Sequence, residues 1–512
     1  MSRRAGVLIP LFSIRSSSGW GLGEIPDLVP FARWAKSAGF AVVQLLPVNQ
    51  ASSGQDSPYA ALTAFALDPV YLSLERCEDF VRAGGVEALR REDQQLLDVL
   101  RRSPQVRWGD VRSLKARAFE LAFNHFFANE WQGQTARAKE LIAFAQKHSG
   151  WIEEFALYQA LHEQREGKPW PEWEPELAKR DPAALAAVRA KLERPLLFLK
   201  WLQWQLDQQW REAREDCNTM GISLMGDLPF VVAGDSADVW SRQGDFRLDA
   251  RVGVPPDAFS EDGQDWGLPV YRWDVMVKND MAWFRARATR AAELFDYYRV
   301  DHVVGLYRTY FREPDGKAAF IPAEVPAQTE NGERVLKLLS EHATVIAEDL
   351  GVVPDFVRAS LTRLKIPGYR VLRWEKDLKV FRDPAEWPAL SVAVTGTHDT
   401  DSLADWFDAL DEEEREAFLE IPGLAGLKAK EPTKFDESVR DALLTLIYQS
   451  TSDLALLPLQ DVLGHRERVN TPGTMSDSNW SYRMPMDVEV LLGDLPTAQR
   501  LAGLAEASGR LP

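Results

Sequence analysis

Eight short apolar runs, separated for the most part by helical patterns, limit the folds open to this 512-residue chain. They are "VLIPLF" (7–12), "VVQLLPV" (42–48), "SLMGDLPFVV" (223–232) and "YYRVDHVVG" (297–305), then "TVIAEDLG" (344–351), "YRVLRW" (369–374), "VAVTGTHD" (392–399) and "LALLPLQD" (454–461). Near-continuous apolar runs of this kind belong to parallel strands covered on both faces. Between them lie helical patterns such as "IPDLVPFARWAKSAG" (25–39), "PDFVRASLTRLK" (354–365) and the acidic stretch from Ser402 to Leu419. Eight alternating β and α units predict an α/β fold, a (β/α)8 TIM barrel, which takes about 250 residues.

The surplus falls in two places. Residues 75–216, between the second and third strands, are charged and helix-like, carry eight of the 18 tryptophans and are broken near Pro169 to Pro175. This segment is expected to be a helical insertion subdomain, leaving 1–74 and 217–512 to the barrel. After the third strand, residues 233–285 are rich in Gly, Pro and Asp and are expected to be mainly loop over the cleft.

Composition narrows the partners. Seventy-seven acidic residues against 60 basic ones give a net charge of −17, which argues against nucleic acid or an anionic membrane. No apolar run reaches the roughly 18 residues that a membrane span needs. Cys77 and Cys217 make neither a disulfide framework nor a metal-ligand spacing. The opening "MSRRAGVLIPLFSIR" has an apolar stretch broken by Pro10 and followed by Arg15, so it reads as a first strand and the protein as cytoplasmic.

Polar residues gather at the C-terminal ends of the strands: Asp227; Arg299, Asp301 and His302; Glu348 and Asp349; His398 and Asp399. That end of such a barrel carries the active site. Strand alternation puts Arg299 and Asp301 on one face, with about 6.6 Å of rise between them, and turns His302 to the other unless the backbone bends there. A salt-bridge network closing the barrel mouth is the plain alternative. The seven histidines are dispersed without HExxH spacing, and Arg299 beside Asp301 repels a cation, so no metal is expected. No GxSxG elbow is present. "GWGLGE" (19–24) lacks the third glycine of a dinucleotide site, and the strand after it ends in "LLPVNQ" without an acid for a ribose; no cofactor is expected.

Carboxylates converging with Arg and His suit glycosidic-bond chemistry, in which one acid protonates the leaving oxygen and a second carboxylate attacks or activates water. Arg299 keeps Asp301 ionised, as a nucleophile must be. Desolvation after "TVIA" raises the pKa of a carboxyl and keeps it protonated, as an acid must be. The residues alone leave Glu348 and Asp349 both open for that part.

"RVDHVVG", "AEDLG" and "TGTHDTD" resemble the fourth-, fifth- and seventh-strand motifs of the α-amylase clan. With "GWGLGEIPDL", "DSPYAALTAFALDP", "GDLPFVV", "GVPPDAFSEDGQDWGLPVYRW", "IPGYRVLRW" and "RVNTPGT…NW", the chain resembles the 4-α-glucanotransferases (amylomaltase or disproportionating enzymes, glycoside hydrolase family 77) nearly end to end. The resemblance implies Asp301 as nucleophile, Glu348 as general acid/base, and Asp399 holding sugar hydroxyls. It implies substrate contacts from Arg299, His302, His398 and Asp227, a stacking Tyr59, and Gln264 and Trp266 on a loop over the cleft. Trp374 lies along the glucan path, and Asn470 is implied near the site. Three departures stand out: "SIRSSSG" (13–19) for an SLPS-like segment, Leu268 for an Asn, and "RVN" (468–470) for Arg-Met-Asn.

The implied activity is transfer of α-1,4-glucan segments to the 4-OH of glucose or another glucan with retention, by disproportionation or by cyclisation. The alternatives are an α-1,4-glucan hydrolase on the same barrel and a non-catalytic glucan-binding protein.

Overall fold

The computed structural model describes residues 3–52, 54–256 and 263–511. Its centre is a closed barrel of eight parallel strands: β1 (Arg4–Leu8), β2 (Val42–Gln44), β3 (Ser223–Leu228), β4 (Tyr297–Val300), β5 (Thr344–Ala347), β6 (Gly368–Val371), β7 (Ser391–Val394) and β8 (Leu454–Pro458). Each pairs with the next in sequence, and β8 closes on β1 with Arg4 beside Leu454. All eight expected strands are present, and each is shorter than its apolar run. The runs continue past the barrel edge because the residues there pack over the mouth: Phe230, Val231 and Val232, for example, follow β3 and stay buried.

Alternation splits every strand between two cores. Val42, Met225, Ile346, Tyr369, Val371, Val392, Val394, Leu454 and Leu456 fill the barrel interior, with Tyr297 against them. The intervening residues, such as Tyr298, Val300, Val345 and Ala347, pack outward under the helices. Two residues beyond each of Met225, Tyr297 and Ile346, the inward face reaches Asp227, Arg299 and Glu348. Strand parity therefore delivers polar groups from three adjacent strands to the same opening.

Between β2 and β3 the chain is helical, with main helices Arg91–Arg102, Trp108–Phe126, Ala136–Lys147, Ser149–Gln164 and Glu193–Thr219. The last spans residue 216 and packs on the barrel: Trp210 Nε1 donates to the Leu294 carbonyl at 2.9 Å, and its ring meets Phe295 edge-on.

The segment 233–285 departs from the expected loop. Phe246–Val254 and Gln264–Tyr271 pair antiparallel and join Thr309–Arg312 and Ala318–Ile321 in a four-stranded sheet beside the barrel. Phe246, Ala250, Val252, Val270 and Tyr271 are buried and anchor this sheet, and Gly253, Gly267 and Pro269, which suggested loop, lie within its strands. Residues 257–262 of the "GVPPDAFSEDGQDWG" stretch lie outside the described residues. Among the described residues, no helix is long and apolar enough to cross a membrane.

Candidate active site

Asp227 and Arg299 are register partners on β3 and β4. Arg299 Nη1 donates to Asp227 Oδ1 and Oδ2 at 2.9 and 2.8 Å, and Nη2 lies 2.8 Å from Asp301 Oδ1 and 3.9 Å from Glu348 Oε2. The Tyr59 hydroxyl donates to Asp227 Oδ2 at 2.8 Å. Burial opposes the guanidinium charge, but Asp227 and Asp301 outweigh it and hold the Arg299 pKa well above its ordinary value. Asp227, with a fully buried side chain, lies beneath Arg299 and Tyr59 as their anchor. Burial pushes its carboxyl up, against the opposing Arg299 cation.

Glu348 follows β5 on the inward face. Burial raises its carboxyl to about 8; the Arg299 cation opposes the shift and the Asp301 charge adds to it. Oε2 accepts the His302 backbone N–H at 2.8 Å, and Oε1 accepts that of Leu350 at 3.3 Å. Asp349 has the opposite parity. It accepts the Tyr369 N–H at 2.7 Å and faces Arg370 at 3.4 Å, wedged so close to Gly368 that a Cβ there would stand 2.4 Å from Asp349 Oδ1. Of the two acids the sequence left open, only Glu348 reaches Arg299 and Asp301.

A single nitrogen thus bridges Asp301 and Glu348, so their facing oxygens are no farther apart than those two separations laid end to end. A nucleophile and acid pair needs about 5–5.5 Å, and an acid with a water-activating base about 6.5–9.5 Å. The bound excludes nearly all of the second range.

His302 does not follow strand parity. Its backbone is left-handed (φ 45°, ψ 56°), and a short helix, Val303–Tyr307, starts directly after it. That turn aims its own N–H at Glu348 and lays its ring edge-on to Trp266 at 4.9 Å and to Phe230 at 5.5 Å. Gly305 makes room, since a Cβ there would come within 2.5 Å of Phe230 and 2.8 Å of the His302 ring. Burial pulls the His302 pKa down to about 4, so the imidazole is neutral near pH 7.

After β7, His398 is buried and Asp399 is half-open, its side chain 40% exposed, with His398 Nε2 3.4 Å from Asp399 Oδ2. Asn470 Nδ2 donates to Asp399 Oδ1 at 2.7 Å, and its backbone N–H donates to the His398 carbonyl at 3.1 Å. Tyr59 stacks on His398 at 5.2 Å with 16° between the rings. Two residues not singled out from the sequence complete this side. Trp480 packs at 5.9 Å from both Tyr59 and His398, and the Arg468 guanidinium donates to the carbonyls of Asp399 and Asn470. Their sequence signal was the "RVN…NW" segment that contains them.

Gln264 and Trp266 start the strand Gln264–Tyr271, joined by a Trp266 Nε1 to Gln264 Oε1 hydrogen bond of 3.0 Å; Trp266 meets the site through His302. Trp374, three residues past β6, is 48% exposed. It makes no ring contact with the central group among the described residues.

A pair of carboxylates with opposed surroundings, one paired to Arg299 and one kept protonated by burial, together with open aromatic faces, is what cleavage of a sugar acetal calls for. The family model described as 4-alpha-glucanotransferase matches residues 9–488 of this sequence. The chain belongs to the 4-α-glucanotransferase family. A 4-α-glucanotransferase of Thermus thermophilus is 33% identical over 537 residues, covering 100% of both chains. One from Chlamydia pneumoniae is 30% identical over 510 residues, covering 96% of this chain and 93% of the relative. The solved amylomaltase of Streptococcus agalactiae in complex with acarbose superposes with a TM-score of 0.85 at 25% identity and covers 100% of both chains. The activity of this 4-α-glucanotransferase family member is glucan transfer, and glucans are its substrates.

Proposed function

We propose that transfer proceeds by double displacement with retention, with Asp301 as nucleophile and Glu348 as acid and then base. Asp301 attacks the anomeric carbon of an α-1,4-glucan as the bond to the leaving 4-oxygen breaks, and the Glu348 proton passes to that oxygen. The acceptor 4-OH then attacks the glucosyl ester, giving its proton to the Glu348 carboxylate and freeing Asp301. The observation that carries this reading is Arg299 Nη2 shared between a paired Asp301 and a buried Glu348 raised to about 8.

Asp399, held by Asn470 and beside His398, binds sugar hydroxyls and favours the distorted ring. Tyr59 and Trp266 supply aromatic faces, with Gln264 beside Trp266. Trp374 offers an exposed ring farther along the glucan. Donors are maltooligosaccharides, amylose or glycogen, and acceptors are glucose or maltose. We retain the division into a barrel (1–74 and 217–512) and a helical subdomain (75–216), and a cytoplasmic location, as parts of this proposal.

Maltotriose is the deciding substrate. A transferase yields glucose together with maltopentaose and longer chains; release of maltose and glucose alone would establish the hydrolase. The Asp301→Asn variant separates catalysis from binding: it keeps glucan affinity and loses turnover.

A further inference from the structure

Trp480 stands in a conformation that a large aromatic residue rarely adopts, with φ at 60°. A non-glycine residue there is strained, and it persists only where its surroundings over-determine it. Here they do. The Trp480 N–H donates to the Val469 carbonyl at 2.7 Å, closing residues 469–480 into a loop. The Trp480 carbonyl accepts from Trp108 Nε1 at 3.0 Å, and Trp108 belongs to the helical segment, not to the barrel. Just beyond, Val106 N–H donates to the Ser481 carbonyl, and Arg483 Nη1 reaches the carbonyls of Leu100, Arg101 and Ser103. Asn479 ties the loop internally, accepting from Thr471 N and donating to the Thr474 carbonyl, each at 3.0 Å.

This closed loop brings two residues to the site from its two ends. Asn470 meets Asp399, and the Trp480 ring lies at 5.9 Å from both Tyr59 and His398. Tyr59 sits on a connection after β2: its hydroxyl donates to Asp227 and accepts from Arg299 Nη1 at 3.4 Å, and one of its faces stacks on His398. The tilted indole is thus the third wall of a three-ring cluster, and Tyr59 in turn leads to Arg299 through Asp227.

We infer that Trp480 is a positioning residue for the donor sugar: held in a left-handed turn by Trp108 of the helical segment, its ring sets the planes of Tyr59 and His398. The strained backbone is the means of aiming that ring. The inference deepens the glucanotransferase reading and rests on it for the identity of the sugar.

Glycine separates ring from backbone. In Trp480→Gly both backbone hydrogen bonds and the positive φ are retained without strain, and only the indole is lost. The expected result is a folded enzyme whose thermal midpoint falls modestly, the lost indole packing being offset in part by relief of strain, with KM for maltotriose, measured well below unfolding, raised about 10-fold or more and kcat lowered less than KM is raised. The alkaline limb set by Glu348 stays where it is. Trp480→Phe restores most of the affinity because a ring again fills the cluster. Trp108→Phe keeps a ring but loses the indole donor and shifts KM in the same direction by a smaller factor.

A purely structural role for the turn predicts the opposite: activity and KM at the wild-type level in both Trp480→Gly and Trp480→Phe, since both keep the turn. Wild-type KM in the glycine variant overturns the inference, as does failure of Phe to rescue. If the wild type proves only to hydrolyse maltotriose, the transferase reading falls, while the same variants compared by KM for hydrolysis still decide the part played by Trp480.

Discussion

Arg299 and Asp227 meet end to side across neighbouring strands, Nη1 lying within 2.9 Å of both carboxylate oxygens, next to Asp301, the proposed nucleophile. The pair leaves Nη2 free to face Asp301. Burying a guanidinium is costly unless its charge is matched, and a single unpaired partner left behind destabilises strongly. Asp227→Asn keeps the shape and removes the charge. It is expected to lower stability by about 3 kcal/mol, toward the low end of the range for a broken buried pair because Asp301 remains. Arg299 then shifts toward Asp301, and transfer falls about 10- to 100-fold through misplacement of the nucleophile. Thermal unfolding together with maltotriose kinetics tests both halves. An active, stable Asp227→Asn enzyme contradicts the anchoring role.

The proposed mechanism requires Glu348 protonated for its first step, and burial raises that carboxyl to about 8. The acid limb is thereby left open, and kcat/KM for glucan is expected to fall tenfold per pH unit above about 8. Linkage gives an independent reading of the same proton. The folded state holds it between the unfolded carboxyl value near 4.3 and the folded value, so its contribution to stability is full below that window and is lost as pH rises through about 8. Glu348→Gln cannot ionise. Its thermal midpoint relative to wild type is expected to rise between pH 5 and pH 9, while its transfer activity is nearly abolished at every pH. A midpoint difference that does not change with pH contradicts the raised carboxyl.

Several parts of this site were legible in the sequence because they depend only on alternation and charge. Eight apolar runs gave eight barrel strands, and Arg299 two residues before Asp301 gave a pair on one face. Other parts depend on backbone conformation. His302 turns back to the site because its φ is positive, which apolar flanking residues do not announce. Parity chooses Glu348 over Asp349 only when the inward face of β5 is known, and a strand apolar on both faces conceals it. The sheet within 233–285 is not legible because Gly253, Gly267 and Pro269 inside its strands read as loop and outweigh the spaced apolar residues around them. Trp480 acts through a turn closed over many residues, a relationship without a local signature.

The same parity argument predicts contrasting variants of adjacent acids. Asp349 is buried between β5 and β6, satisfied by the Tyr369 N–H and facing Arg370. Asp349→Asn is expected to cost about 1–3 kcal/mol of stability, since one partnered buried group is replaced by another that fits its donors less well. Its kcat at a temperature well below unfolding is expected to stay within about threefold of wild type, whereas Glu348→Gln loses about 10⁴-fold or more. Retained activity is to be normalised to folded protein by circular dichroism. A collapse of kcat in folded Asp349→Asn assigns a chemical part to Asp349 that its geometry denies.

Asp399 is more open than Asp301 and Glu348, and two contacts define the plane of its carboxylate: Asn470 Nδ2 at 2.7 Å from Oδ1 and His398 Nε2 at 3.4 Å from Oδ2; this is the plane it would offer to a sugar in the proposed mechanism. Asn470 fixes the direction of that carboxylate. Removing a hydrogen bond to a charged group is worth about 1.5–3 kcal/mol, so Asn470→Ala is expected to lower kcat/KM for maltotriose about 10- to 100-fold with little change in unfolding temperature. Asn470→Asp is the sharper version. It sets a second carboxylate against Oδ1, and the repulsion lowers kcat/KM further at pH 7 than alanine does. Activity then recovers in part as the pH is lowered and one of the two carboxyls takes a proton. Recovery with acid in Asn470→Asp, and not in Asn470→Ala, identifies the Asn470–Asp399 contact as the cause. Equal pH profiles for the two variants place the function of Asn470 elsewhere in the loop.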